Sequence, residues 1–311
     1  MTIPIAFTFD SNLVMPACVC ISSLLENAKE DTFYDIFILH PSGQPMDDTE
    51  LGKMTSFYKN CRMTFRPVGH EFDNAFEIRG ITTPAYYRLL IPELIPEYGK
   101  IIYSDVDVIF RSDLASIYGD TDMDGYYIGG VKALAQTVPA YRNYYEHELH
   151  LSPDSIIYSG NLLINSHAIR KDRITQKFKS LADRRFMFQD MDILNIVCKG
   201  KIKYLGPEFC LTTFINQMAV NSPEVLDTIW DKAQIRKALK EGIVHYNGMK
   251  PWKGYCINFD IWWECYRKSP FFNEKRYFDF FYRKINEYDL LPLWKRVKIL
   301  LRYFVFGRRI V

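Results

Sequence analysis

The stretch IIYSDVDVIF, residues 101–110, sets two carboxylates one residue apart, Asp105 and Asp107, inside an apolar run. In extended backbone, residues i and i+2 project to the same side, so both carboxylates can approach one divalent cation. Carboxylates are hard oxygen ligands suited to Mg²⁺ or Mn²⁺, ions that keep positions open for phosphate oxygens. Asp-x-Asp is not rare here: it recurs at 120/122, 122/124 and 190/192. The 120–124 copy sits between Gly119 and Gly125 and reads as a turn. At 105/107 the flanks are apolar, and two buried carboxylates without a counter-ion are costly, which favours the metal over a solvated face.

Three further segments carry candidate chemistry. In VHYNGMKPW, residues 244–252, His245 follows a short apolar run and offers an imidazole, a common Mn²⁺ ligand. Gly248 permits close backbone approach and Lys250 brings a positive charge for a phosphate; a histidine in this place is equally a structural residue. In FQDMDILN, residues 188–195, Asp190 precedes a helical stretch, as a helix cap or as a site carboxylate. In IRGITTPAYYRLL, residues 78–90, Arg79 and Arg88 serve either in surface ion pairs or as guanidinium groups beside a diphosphate.

These residues need a scaffold that brings them together. The first third alternates strand candidates (Ile3–Phe9, Tyr34–His40, Arg62–Val68 and one within Lys100–Phe110) with helical segments (Cys18–Asn27, Asp47–Tyr58, Thr83–Leu90). That alternation predicts an α/β fold with one mostly parallel, doubly wound sheet flanked by helices. Ligands of such sheets sit beyond the carboxyl ends of strands at a switch point, where Asp10 and Asp105 both fall. Further on, Gly160–Asn165 and Ile243–Tyr246 read as strands, and Ser166–Leu181 and Met191–Val197 as helices.

The chain has 311 residues, 48% hydrophobic and 24% charged, enough for one large domain over 1–270 and a tail over 271–311. Its net charge of +2 marks no nucleic-acid partner. Seven scattered cysteines without a Cys-x-x-Cys fit reduced thiols in a cytosolic protein. No signal peptide or membrane span is expected. The tail is different: from Leu290 onward six cations (Lys295, Arg296, Lys298, Arg302, Arg308, Arg309) meet no acid. On a helical wheel Lys295, Lys298 and Arg302 oppose Leu293, Trp294, Val297, Leu301 and Phe304. That pattern predicts a helix lying on an anionic membrane surface, against the plainer reading of a helix packed on the body.

FTFDSN (7–12), ITTPAYYR (81–88), YSDVDVIF (103–110), YSGNLLIN (158–165), FQDMDILN (188–195) and HYNGMKPW (245–252), in this order, resemble glycosyltransferase family 8, the family of glycogenin and bacterial lipopolysaccharide galactosyl- and glucosyltransferases. The resemblance implies a GT-A fold, a Mn²⁺ (or Mg²⁺) ion, a UDP-sugar donor such as UDP-galactose or UDP-glucose, and transfer with retention to a glycan or lipid-linked acceptor. It implies that Asp105, Asp107 and His245 hold the metal, and that Asp10 and Asn12 meet the uridine. It also implies that Gly248 and Lys250 meet the diphosphate and that Arg88 and Asp190 hold the donor sugar. Met191 stands where many relatives carry Gln, and Tyr158 where they often carry Asn. The 245–252 loop is one residue shorter than in the galactosyltransferases. The expected location is cytoplasmic, peripheral on the inner face of the cytoplasmic membrane.

Two other readings compete. A haloacid-dehalogenase-type phosphatase also places Asp-x-Asp after an apolar strand, though near its N-terminus and with no use for HYNGMKPW. A non-catalytic UDP-sugar-binding protein would keep the pocket without turnover.

Overall fold

The computed structural model describes residues 1–47, 49–77 and 82–304, apart from the side chains at 302 and 303. Among the described residues ten strands form two sheets: β1 (Thr2–Thr8), β2 (Phe33–Pro41), β3 (Cys61–Val68), β4 (Ile101–Ser104), β5 (Val108–Ile109), β6 (Ile128–Gly130), β7 (Asn161–Ile164), β8 (Ile202–Tyr204), β9 (Leu211–Thr212) and β10 (Val244–His245). The large sheet has the order β3-β2-β1-β4-β7-β6-β8. Its strands run in one direction except β7, which is antiparallel to both β4 and β6. A small sheet, β5-β10-β9, stands beside it.

The central strands β1, β4 and β7 are largely apolar and buried because both faces of the sheet are covered there, whereas the edge strand β3 carries Arg62 and Arg66. Alternate residues feed alternate layers. Ile5, Phe7, Ile36, Ile38, Ile102 and Leu163 enter one core with the helix Val14–Glu26. Ala6, Phe37, Leu39, Ile101, Tyr103 and Leu162 enter the other, with the 3-10 helix Thr83–Leu90 and the helix Asp190–Val197. The chain runs from β1 outward to β2 and β3, then returns to place β4 on the other side of β1. The switch point therefore lies between the ends of β1 and β4, where Asp10 and Asp105 follow the strands.

Four local expectations change. The run 100–110 is not one strand: β4 ends at Ser104 in the large sheet, and β5 begins at Val108 in the small one. Asp105–Asp107 are the crossing between sheets, so their side chains converge through a bend rather than through strand alternation. The 166–181 stretch is two helices, Ser166–Lys171 and Ile174–Lys179, parted by Arg173 at φ 55°. Within 47–58 the helix is a 3-10 turn, Glu50–Lys53, running into the short helix Met54–Phe57. Asp190 is not a helix cap: the cap position is Gln189, and Asp190 is the first helical residue.

The C-terminal third adds an aromatic cluster. Trp263, on the helix Phe259–Lys268, packs on Phe259, Tyr266, Tyr277, Phe280 and Phe281, docking the helix Glu274–Asp289. Its indole N–H donates to the Pro251 carbonyl at 3.1 Å, bracing the loop that follows Lys250. The last helix, Leu293–Phe304, leaves Leu293, Trp294, Val297, Leu300 and Leu301 exposed. Its apolar face is not packed on the body. Among the described residues no helix is long and apolar enough to cross a membrane. Replacing Trp263→Ala removes a buried indole and one hydrogen bond; the expected loss is about 3–5 kcal/mol in urea unfolding, with faster proteolysis of the 274–304 segment.

Candidate active site

The crossing at 105–107 is fixed from three directions. The Asp105 amide donates to the Gly160 carbonyl at 2.7 Å, extending the β4–β7 pairing by one step. In the small sheet His245 lies opposite Val108, and the Tyr246 amide donates to the Asp107 carbonyl at 2.9 Å. Antiparallel pairing of two-residue strands thus brings His245 beside residues some 140 positions earlier in the chain. One ligand atom each from Asp105, Asp107 and His245 lies within 4.8 Å of the others, a spacing that suits a single cation. The His245 Nε2 stands 3.2 Å from Asp107 Oδ1 and 3.6 Å from Asp105 Oδ2. Two carboxylate oxygens and one imidazole nitrogen match the donor preferences of Mn²⁺ or Mg²⁺ and leave room for further oxygen ligands.

Around this trio the charges alternate. Burial opposes ionisation of Asp107, yet Lys250 and His245 together hold its carboxyl far below the usual range. Burial pushes the His245 imidazole down, but the charge and hydrogen bond of Asp107 outweigh it and lift it to about 10. The Lys250 ammonium pairs with Asp107 Oδ2 and donates to the Tyr246 carbonyl at 2.6 Å. The Arg88 guanidinium is buried over the ring of Tyr103, 4.5 Å from its centroid. It donates to Asp105 Oδ1 at 2.9 Å and to the carbonyls of Ser159 and Ala85, each at 2.7 Å. Asp190 Oδ2 lies 3.3 Å from Arg88 Nε, an electrostatic contact, because that N–H points at Ala85. Burial raises the pKa of Asp190 against the pull of Arg88. One guanidinium therefore links the metal-type carboxylate to the carboxylate at the head of the 190–197 helix.

Of the residues singled out from the sequence, Asp105, Asp107, His245, Lys250, Arg88 and Asp190 form this one connected group. Asp10 stands apart from it: it caps the 3-10 helix Ser11–Leu13 by accepting the Asn12 amide at 2.9 Å, and Asn12 is exposed. Gly248 lines a cleft of about 360 Å³ with Thr213, Phe214, Asn247, Met249 and Tyr255. A Cβ at Gly248 would meet only Thr213, at 3.9 Å, so packing does not demand the glycine. Arg79 lies outside the described residues. The 120–124 carboxylates behave as a turn, Asp122 accepting the Asp124 amide at 2.9 Å.

Residues with no assigned role support the trio. A Cβ at Gly160 would sit 2.2 Å from His245 Cε1 and 2.8 Å from Asp105 Oδ2, so only glycine fits there. The signal was present in YSGNLLIN, between two candidate elements. The Cys210 thiol is 3.5 Å from His245 Nδ1, the ring nitrogen turned away from the carboxylates. Tyr103 donates its hydroxyl to Asp105 Oδ1 and meets Thr8 Oγ1 at 3.1 Å.

The switch-point sheet with its crossing at 105–107 is the GT-A fold of the glycosyltransferases among its structural neighbours. The family model of glycosyl transferase family 8 matches residues 4–256, and the chain belongs to that family. A Haemophilus influenzae protein with a provisional glycosyltransferase name is 30% identical over 217 residues, 68% of this chain and 64% of that protein. The lipopolysaccharide 1,2-glucosyltransferase of Escherichia coli is 21% identical over 285 residues, covering 88% of this chain and 80% of its own. The galactosyltransferase LgtC, solved with donor and acceptor sugar analogs, superposes with a TM-score of 0.66 at 23% identity, covering 88% of this chain and 98% of LgtC. At that identity the likeness speaks for the fold. The family match tells against the phosphatase reading, as does the place of the aspartates just after the fourth strand and far from the N-terminus.

Gly160→Ala is expected to force His245 and Asp105 apart. Mn²⁺ affinity, measured by calorimetry or electron paramagnetic resonance, is expected to fall at least about tenfold while circular dichroism remains that of the native chain.

Proposed function

We propose that this chain transfers a hexose, galactose or glucose, from its UDP-sugar to a glycan or lipid-linked acceptor with retention of anomeric configuration, in the synthesis of cell-surface polysaccharide or lipopolysaccharide. The observation that carries this reading is the convergence of Asp105, Asp107 and His245 within 4.8 Å at the switch point. Family membership and the lipopolysaccharide glucosyltransferase among its relatives support it.

In this reading Asp105, Asp107 and His245 hold Mn²⁺ or Mg²⁺, which when bound supplies Lewis-acid stabilisation to the departing diphosphate. Lys250 reaches the diphosphate from the same cluster, and Gly248 leaves its backbone open to it. Both provide charge and dipoles fixed before the reaction begins. Asp10 and Asn12, beyond the end of β1, take the uridine side. Arg88 is too well occupied to roam: its donors fix Asp105 and the Ser159 carbonyl, and its charge holds Asp190. Asp190 orients hydroxyls of the donor sugar.

Retention by a covalent route needs a protein nucleophile on the far face of the sugar. Met191, where many relatives carry Gln, offers a thioether, and it packs with Tyr158 and Phe188 around an apolar cluster. Same-face attack fits these residues better. The acceptor oxygen bonds to the anomeric carbon as the bond to UDP breaks, and the acceptor proton passes to a donor phosphate oxygen.

The helix Leu293–Phe304, with exposed apolar residues and the cations Lys295 and Lys298, lies on anionic lipid and brings the crevice to a membrane-borne acceptor. Each basic residue near such a surface contributes about 1 kcal/mol.

Incubation with a panel of UDP-hexoses and Mn²⁺, without acceptor, is expected to release UDP from one or two of them. Asp107→Ala should lower that rate by orders of magnitude and resist rescue by added Mn²⁺. UDP-sugar binding without turnover across an acceptor panel would instead mark a binding protein. A glycosyl adduct on Asp190, seen by intact mass, would overturn same-face attack. The full chain is expected to float with anionic liposomes and a chain cut after Asp289 to stay in solution; equal flotation would remove the membrane role of the last helix.

A further inference from the structure

The second acidic residue of FQDMDILN has no role in the site as described. Asp192 is fully buried, two residues after Asp190, and both of its oxygens are engaged. Oδ2 accepts the Tyr144 hydroxyl at 2.8 Å and the Phe188 amide at 2.9 Å, and Oδ1 accepts the Tyr145 hydroxyl at 2.9 Å. The Tyr144 oxygen in turn accepts the Met187 amide at 3.0 Å. Two successive backbone N–H groups, at 187 and 188, are thus tied to one carboxylate and one of its phenols. The Phe188 ring stacks on Tyr145 at 6.1 Å, closing the same unit.

What this unit holds is a backbone conformation that the sequence does not favour. Gln189, next in the chain, has φ 50° and ψ −118°, a region populated chiefly by glycine. Strained non-glycine residues of this kind persist only where the surroundings over-determine them. Gln189 is itself buried, and its amide donates to the Phe76 carbonyl at 2.7 Å. The turn at Gln189 delivers the chain into the helix Asp190–Val197 with the Asp190 carboxylate 3.3 Å from Arg88. The two tyrosines open a five-residue π-helical stretch, Tyr144–Glu148. Extra-residue turns of this sort shift side-chain register and recur at functional sites.

We propose that Asp192, with the hydroxyls of Tyr144 and Tyr145, is a positioning device that clamps the strained turn at Gln189 and so aims Asp190 at the donor sugar. This rests on the assignment of Asp190 as the carboxylate that orients that sugar. Asp192 acts through Asp190: neither of its oxygens is open to a substrate. Its partners, Tyr144, Tyr145 and Phe188, are none of those that touch the metal-type trio, which it meets only through Asp190 and Arg88.

The variants Asp192→Asn and Tyr145→Phe separate the possibilities, the second removing a single hydroxyl in case the first folds poorly. In Asp192→Asn, kcat for UDP-hexose hydrolysis is expected to fall roughly 10- to 100-fold, since small displacements of a positioning group cost that much. The affinities for Mn²⁺ and for UDP should stay within about twofold. Tyr145→Phe should show a smaller loss with the same split. The crystal structure of Asp192→Asn is expected to show Gln189 relaxed to negative φ and Asp190 moved off Arg88. Retention of the positive φ and of the 3.3 Å contact overturns the proposal whatever the activity. So does a parallel loss of UDP and Mn²⁺ affinity, which marks general damage. Failure of the wider functional reading has a different signature: no turnover of any UDP-hexose by the unsubstituted chain.

Discussion

A single row of charges organises this molecule, Asp190, Arg88 and His245 buried and Asp105, Asp107 and Lys250 partly so, each beside a partner of opposite sign. Isolated, any of these ions would be too costly to bury. Together they are tolerable because the Arg88 donors find two backbone carbonyls as well as the Asp105 carboxylate, and because Tyr103 gives Asp105 a further hydrogen bond. The row also explains why segments so distant in sequence must be correct at once. Thr83–Leu90, the 190–197 helix, β10 and the loop after β10 contribute one charge each and the β4–β5 crossing contributes two, and omission of any one leaves its neighbour uncompensated.

Much of this was legible in the sequence, for reasons that differ from residue to residue. The parallel sheet was visible because β1, β2 and β4 are buried on both faces and read as largely apolar runs. The trio was visible because Asp105 and Asp107 break such a run and His245 ends another. The bend between them was not visible, since VDVIF has the composition of a strand whichever sheet it joins. The reversed β7 was likewise hidden, because hydrophobic pattern carries no direction. Gly160 escaped because a glycine between strand and loop is ordinary; its necessity appears only when the His245 ring is seen against it. Asp190 looked like a helix cap because its position in the chain suits one, and only the backbone angles at Gln189 show that the helix starts a residue earlier than capping chemistry suggests.

The C-terminal third does two separate jobs. Its aromatic cluster around Trp263 reaches back to Pro251 and so steadies the loop carrying Lys250. Its last helix does the reverse and keeps its apolar residues out in solvent. The first kind of residue steadies the crevice, and the second stays exposed. Composition alone does not separate them, because both are rich in Trp, Phe and Tyr; burial does.

The junction between the two sheets has a mechanical consequence. Asp105 leaves the large sheet at its end, Val108 enters the small one, and His245 belongs wholly to the small one. The three candidate ligand atoms are therefore anchored to different slabs of the molecule, joined at that point by the peptide of residues 105–107. Any sliding of one slab over the other changes their spacing directly, so an occupant gripping all three side chains would act as a rivet through both.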